Sequence, residues 1–85
     1  MDIVPLIDSK NYEAFRRIPE LYFPRTYSEW LQFHAKDCRD LRRFGGSVRE
    51  IEVEPGEFLR FCRARQTRPD RASLLRLAIE KAREE

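Results

Sequence analysis

His34-x-x-x-Cys38 is where this 85-residue chain places two soft ligand side chains at a spacing chemistry can use. Residues four apart stand on one face of a helix, so both can ligate one metal ion, with Cys62 as a third ligand. A structural zinc site takes four ligands, whereas the chain holds one histidine and two cysteines. Both residues also share an apolar stripe with Trp30 and Leu41. The ligand count therefore favours packed core side chains, and neither metal nor cofactor is expected. A Cys–His nucleophile would draw on the same atoms, but it needs an accessible thiolate, a base within reach and an oxyanion hole. Gly45-Gly46 reads as a helix stop, and no phosphate-cradling loop is present. The carboxylates lie at spacings that suit solvent exposure, so no enzymatic activity is expected.

Arginine offers another kind of chemistry. Arg60, Arg63, Arg65, Arg68 and Arg71 surround the break between the last two predicted helices. Such a run is ordinarily a solvated face, here answered by Glu57 and a carboxyl-rich tail. The functional alternative is a patch for phosphates or for an acidic protein surface. A net charge of +2, from 17 basic and 15 acidic side chains, gives no overall pull towards nucleic acid or membrane. Aromatic residues give a further signal. Phe33 and Phe44 fall off the main stripe of their helix, and with Tyr22 and Phe23 they exceed what a small core hides. Either the proline-rich segment covers them, or they form an apolar patch that contacts a partner.

The elements that must position these residues follow from pattern. Residues 1–7 are apolar but broken by Pro5, which suits an arm or edge strand. Asp8 or Ser9 can cap a short helix carrying Tyr12 and Phe15, ending near Pro19. Leu21, Tyr22 and Phe23 lie between Pro19 and Pro24, which predicts an extended segment laid over the core. Thr26 and Glu29 have capping-box spacing, and the helix they open runs to about Phe44. Its stripe is Tyr27, Trp30, Leu31, His34, Cys38 and Leu41. Val48, Ile51 and Val53 against Glu50, Glu52 and Glu54 predict a strand. Pro55 suits the first turn of a helix whose apolar face is Phe58, Phe61 and Cys62. Thr67 to Asp70 break it, and a final helix points Leu74, Leu75, Ala78, Ile79 and Ala82 inward.

The expected fold is thus a mainly helical α+β domain: an N-terminal arm, a long helix, one short strand and two C-terminal helices. One domain spans 1–85, with 1–25 as the arm, short helix and proline-bounded segment, and 26–85 as the helix-strand-helix-helix core. The composition, 41% hydrophobic and 38% charged, fits a folded, heavily solvated helical protein. Two cysteines far apart make a poor disulfide framework, and no stretch has the length of a membrane span or signal peptide. A cytoplasmic location and no membrane partner are expected.

Residues 48–82 resemble a ribbon-helix-helix module, on the strand VREIEVE, the proline at its end, the helix EFLRFC, the turn, and RASLLRLAIEKA as the second helix. The resemblance implies a dimer whose paired strands enter the DNA major groove. Arg49 or the glutamates would then read bases, and a phosphate would sit near Arg71 to Ser73, with Arg65 and Arg68 close in sequence. Glu50, Glu52 and Glu54 would face groove phosphates, and Asp70 would stand where a phosphate should. The stretches TYSEWL and GEFLRFC also resemble short bacterial proteins, which implies no activity.

The expected function is a non-enzymatic protein-interaction module that binds another protein or itself, as a homodimer joined through the strand. Its contact residues would be Val48, Glu50, Glu52, Phe33 and Phe44, and nucleic-acid binding would be weak and non-specific. A DNA-binding regulator of ribbon-helix-helix type is the alternative.

Overall fold

The alternation after Gly46 does produce a strand, β2 (Val48–Glu52), and the N-terminal arm supplies its partner, β1 (Asp2–Leu6). The computed structural model describes residues 1–84. The two strands run parallel, in a register from Asp2 opposite Val48 to Leu6 opposite Glu52. The Asp2 amide donates to the Ser47 carbonyl (2.9 Å) and the Val53 amide to the Leu6 carbonyl (3.1 Å), closing both ends of the ladder. Pro5 is tolerated because β1 has a second edge that needs no amide from it. β2 therefore pairs within its own chain, with the arm whose residues suit an edge strand.

Parallel pairing requires a crossover between the strands. Two helices provide it, α1 (Tyr12–Arg16) and α2 (Tyr27–Arg42). Thr26 caps α2 by accepting from the Glu29 amide (3.1 Å), as the spacing predicts, while its hydroxyl donates to the Glu29 carboxylate (3.0 Å). The helix ends at Arg42, and Gly45 carries the turn out at φ 81°, where a side chain would be strained. After β2 come α3 (Pro55–Arg65) and α4 (Arg71–Glu84). Glu57 reaches back to the Glu54 amide (2.8 Å), a cap at the start of α3. Asp70 accepts from the Ser73 amide (3.0 Å) at the start of α4.

The mainly helical α+β architecture and the order of its elements agree with the sequence reading. The proline-bounded segment differs from it. Pro19–Leu21 form a 3-10 turn, which Pro19 opens from a position where no amide is required, and Tyr22 then takes a left-handed conformation at φ 53°. That reversal buries Leu21 and leaves Tyr22 outside.

One contiguous core joins Ile7, Tyr12, Phe15, Ile18, Leu21 and Trp30 to Ile51, Val53, Phe58, Cys62, Leu74, Leu77 and Ala78. Ile51 and Val53 anchor β2 as the alternation predicts. The buried face of α4 centres on Leu74, Leu77 and Ala78, so it is turned from the expected stripe, and Leu75 stays 41% exposed. The two faces of the sheet meet different helices. Arg49 donates to the Ala82 carbonyl of α4 (3.5 Å), whereas Glu50, its neighbour on the opposite face, meets His34 of α2. Among the described residues, no helix is long and apolar enough to cross a membrane.

Candidate functional site

Large apolar side chains that a core would normally hide gather at one place. Tyr22 is 81% exposed, Phe33 60% and Leu75 41%, and all three line a groove of about 660 Å³. Its floor includes Ile7, Trp30 and Leu74, and its polar margin is Glu29, Asp37, His34 and Arg71. Each wall has a local cause. The left-handed turn at Tyr22 throws that ring outward. The periodicity of α2 puts Phe33 one turn from Trp30, on the flank of the buried stripe. The rotation of α4 sends Leu75 to the groove while Leu74 goes to the core.

Trp30, on the floor of the groove, is fixed by the rings around it. Trp30 stacks on His34, centroids 4.7 Å apart and planes 13° from parallel, and on Tyr27 at 5.7 Å and 10°. Tyr27 donates to the Ile7 carbonyl (2.7 Å), which ties α2 to the chain just after β1. Burial raises the Tyr27 phenol above its ordinary range, aided by the negative charges of Asp8 and Glu52.

At the inner end of the groove His34 belongs to a second, polar cluster. Its Nε2 lies 2.6 Å from Glu50 Oε1 and 3.8 Å from Cys38 Sγ. The donor atoms of His34, Cys38 and Glu50 all lie within 4.8 Å of one another. Cys38 is buried, yet it is not part of the contiguous apolar core. Burial raises its thiol above the ordinary range, and the nearby Glu50 carboxylate adds to this. A nucleophilic relay needs the thiol and the carboxylate on opposite nitrogens of the imidazole. Here both address the same nitrogen, so the geometry does not suit a thiolate nucleophile.

Cys62, the third ligand considered from the sequence, lies elsewhere. Its Sγ donates to the Arg68 carbonyl (3.8 Å) in the turn between α3 and α4, and burial raises its thiol too. The third donor near His34 is instead Glu50. Sequence reasoning missed this pairing because it depends on how β2 packs against α2, across 16 positions of sequence.

The remaining expected site residues are dispersed. Of the partner-contact set, Phe33 lines the groove and Glu50 joins the His34 cluster. Phe44 is 90% exposed beyond the end of α2, Val48 is half-buried at the start of β2, and Glu52 is exposed at its end, with its carbonyl accepting from Lys81 (2.7 Å). Of the nucleic-acid set, Arg49 donates to the C-terminal turn of α4. Arg65 makes a two-pronged ion pair with Glu80 and lies over the Phe61 ring at 4.8 Å. Arg71 donates to the carbonyls of Leu21 and Tyr22. Ser73 is buried, its hydroxyl bonded to Thr67 (3.2 Å). Arg68 is exposed in the turn. Tyr22 is among the aromatics read from the sequence as a candidate apolar patch, and its exposure depends on a single left-handed residue; Leu75 was missed as a site residue, because its exposure depends on the rotation of α4.

Comparison with protein-family models, with curated proteins and with solved structures gives no match.

Proposed function

We propose that this chain is a non-enzymatic protein-interaction module whose groove receives an apolar side chain of a partner protein. The observation that carries this reading is the convergence of Tyr22, Phe33 and Leu75 on one groove. Apolar residues scattered singly over a surface need no explanation, but a contiguous exposed set around a concavity is what partner contacts use. The margin indicates the chemistry of that partner. The groove is lined by two carboxylates, Glu29 (which accepts from the Thr26 hydroxyl) and Asp37, and by one guanidinium, of Arg71, which is already engaged by two backbone carbonyls. The occupant is therefore a short segment with a large apolar side chain flanked by lysine or arginine.

Trp30 is the only tryptophan in the chain and lines the groove, so its fluorescence reports occupancy. Peptides with one central aromatic residue and lysine flanks should give a saturable change, glutamate-flanked ones a weaker one, and Leu75→Lys should abolish it. No saturable change with any apolar peptide overturns the proposal, as does an unaltered response in Leu75→Lys. If light scattering gives a dimer that Leu75→Lys dissociates, the groove is filled by a second copy and the separate basic partner is wrong.

A further inference from the structure

We infer that His34, Cys38 and Glu50 form a three-ligand site for a divalent metal ion of borderline softness, of which zinc is the type. The set is one imidazole nitrogen, one thiol sulfur and one carboxylate oxygen, the donor types that zinc takes together. Their placement fits as well as their chemistry. In a tetrahedral site, zinc-to-ligand bonds of about 2.0–2.3 Å put sulfur and nitrogen roughly 3.6 Å apart and nitrogen and oxygen roughly 3.4 Å apart. Cys38 Sγ and His34 Nε2 already stand at 3.8 Å. Glu50 Oε1 stands at 2.6 Å from the same nitrogen, the length of a hydrogen bond, and the three donor atoms lie within 4.8 Å of one another, so the carboxylate has to swing by about 1 Å, away from the nitrogen and towards the sulfur, when an ion replaces the shared proton.

Two further features support the site. His34 and Cys38 occupy successive turns of α2, and the Trp30 ring stacked on the imidazole holds its plane, so two ligands are positioned by a rigid helix. Glu50 comes from β2, and its side chain is 40% exposed, which leaves it free to swing by the distance required. Proton and charge balance close as well. Binding releases the Cys38 thiol proton to solvent, and the proton between His34 Nε2 and Glu50 vacates that nitrogen, by release or by moving to Nδ1, so that the imidazole coordinates as a neutral ligand. The thiolate and carboxylate then cancel the two charges of the ion. Three protein ligands leave a fourth position for water, as in open zinc sites. The four-ligand count that argued against a metal applies to closed structural sites and not to a site of this kind.

Cobalt(II) is the probe, because thiolate ligation gives it a near-ultraviolet charge-transfer band. The reduced protein, titrated at neutral pH, should take up one equivalent, develop that band, and lose it on addition of zinc. Cys38→Ser should abolish the band, with the fold checked by circular dichroism, and Cys62→Ser should leave it intact. Glu50→Gln should keep the band while weakening affinity roughly tenfold or more, the smallest loss expected when even a supporting partner of a metal ligand is removed. No band in the wild type, a band that survives Cys38→Ser or disappears in Cys62→Ser, or unchanged affinity in Glu50→Gln each overturns the assignment.

Discussion

Arg71, the first residue of α4, donates its Nε to the Leu21 carbonyl across 2.8 Å, although the two are 50 positions apart in sequence. Its Nη2 reaches the next carbonyl, that of Tyr22, at 3.1 Å. A guanidinium thus satisfies the end of the 3-10 turn that forms one lip of the groove. Arg71→Ala should cost about 1–2 kcal/mol, less than a fully buried charge-assisted pair because the site is exposed. Arg71→Lys should not restore it, since an ammonium lacks the planar fork. Urea denaturation checks both, and a variant as stable as the wild type would show that the lip holds without this contact.

The same contact bears on nucleic acid. Phosphate binding needs cationic side chains free to meet the backbone of DNA. Arg65 is engaged by Glu80 and Arg71 by backbone carbonyls, while Glu50 and Glu52 stand on β2. Fluorescence anisotropy with duplex DNA should therefore show only weak, salt-sensitive, sequence-independent binding, reduced further by Arg68→Ala. Tight binding to one defined sequence at physiological salt would favour the ribbon-helix-helix reading.

Two phenylalanines separate core from surface. Phe58 is fully buried, and Phe58→Ala should destabilise by roughly 3–5 kcal/mol through lost contacts and the cavity left behind. Phe44 is 90% exposed, and Phe44→Ser should change stability by no more than about 0.5 kcal/mol. Thermal melting of the two variants is the measurement, and similar losses in both would mean that Phe44 is covered in solution.

Stability should fall at both ends of the pH range. Burial raises Cys62, Tyr12 and Tyr27 above their ordinary values, so the fold favours their protonated forms. Their contribution is fully present at neutral pH and is lost as pH climbs past the ordinary thiol and phenol ranges, about 8.5 and 10. The Asp70 carboxyl is lowered by the Ser73 amide, and that of Glu80 by the hydrogen-bonded Arg65 guanidinium. Their contribution is present above the ordinary carboxylate range, about 4, and is lost as pH falls through their lowered values. Melting temperature against pH should show a plateau between these limits, and Glu80→Gln should flatten the acid side.

Local signals were legible in the residues themselves. The cap at Thr26, the stop at Gly45, the alternation that buries Ile51 and Val53, and the start of α3 at Pro55 each depend on neighbours within a few positions, where backbone chemistry dominates. The sequence by itself therefore determined the helices, β2 and the order of elements. Tertiary structure decided what those elements meet. It gave the N-terminal arm a parallel partner 46 positions away, turned α4 so that Leu77 is buried and Leu75 is not, and brought Glu50 rather than Cys62 to His34. Periodicity names the face of an element that packs, but which face of another element it packs against is set by competition for burial across the whole chain. The groove and the His34 cluster arise from that competition, so neither can be read from any single stretch of sequence.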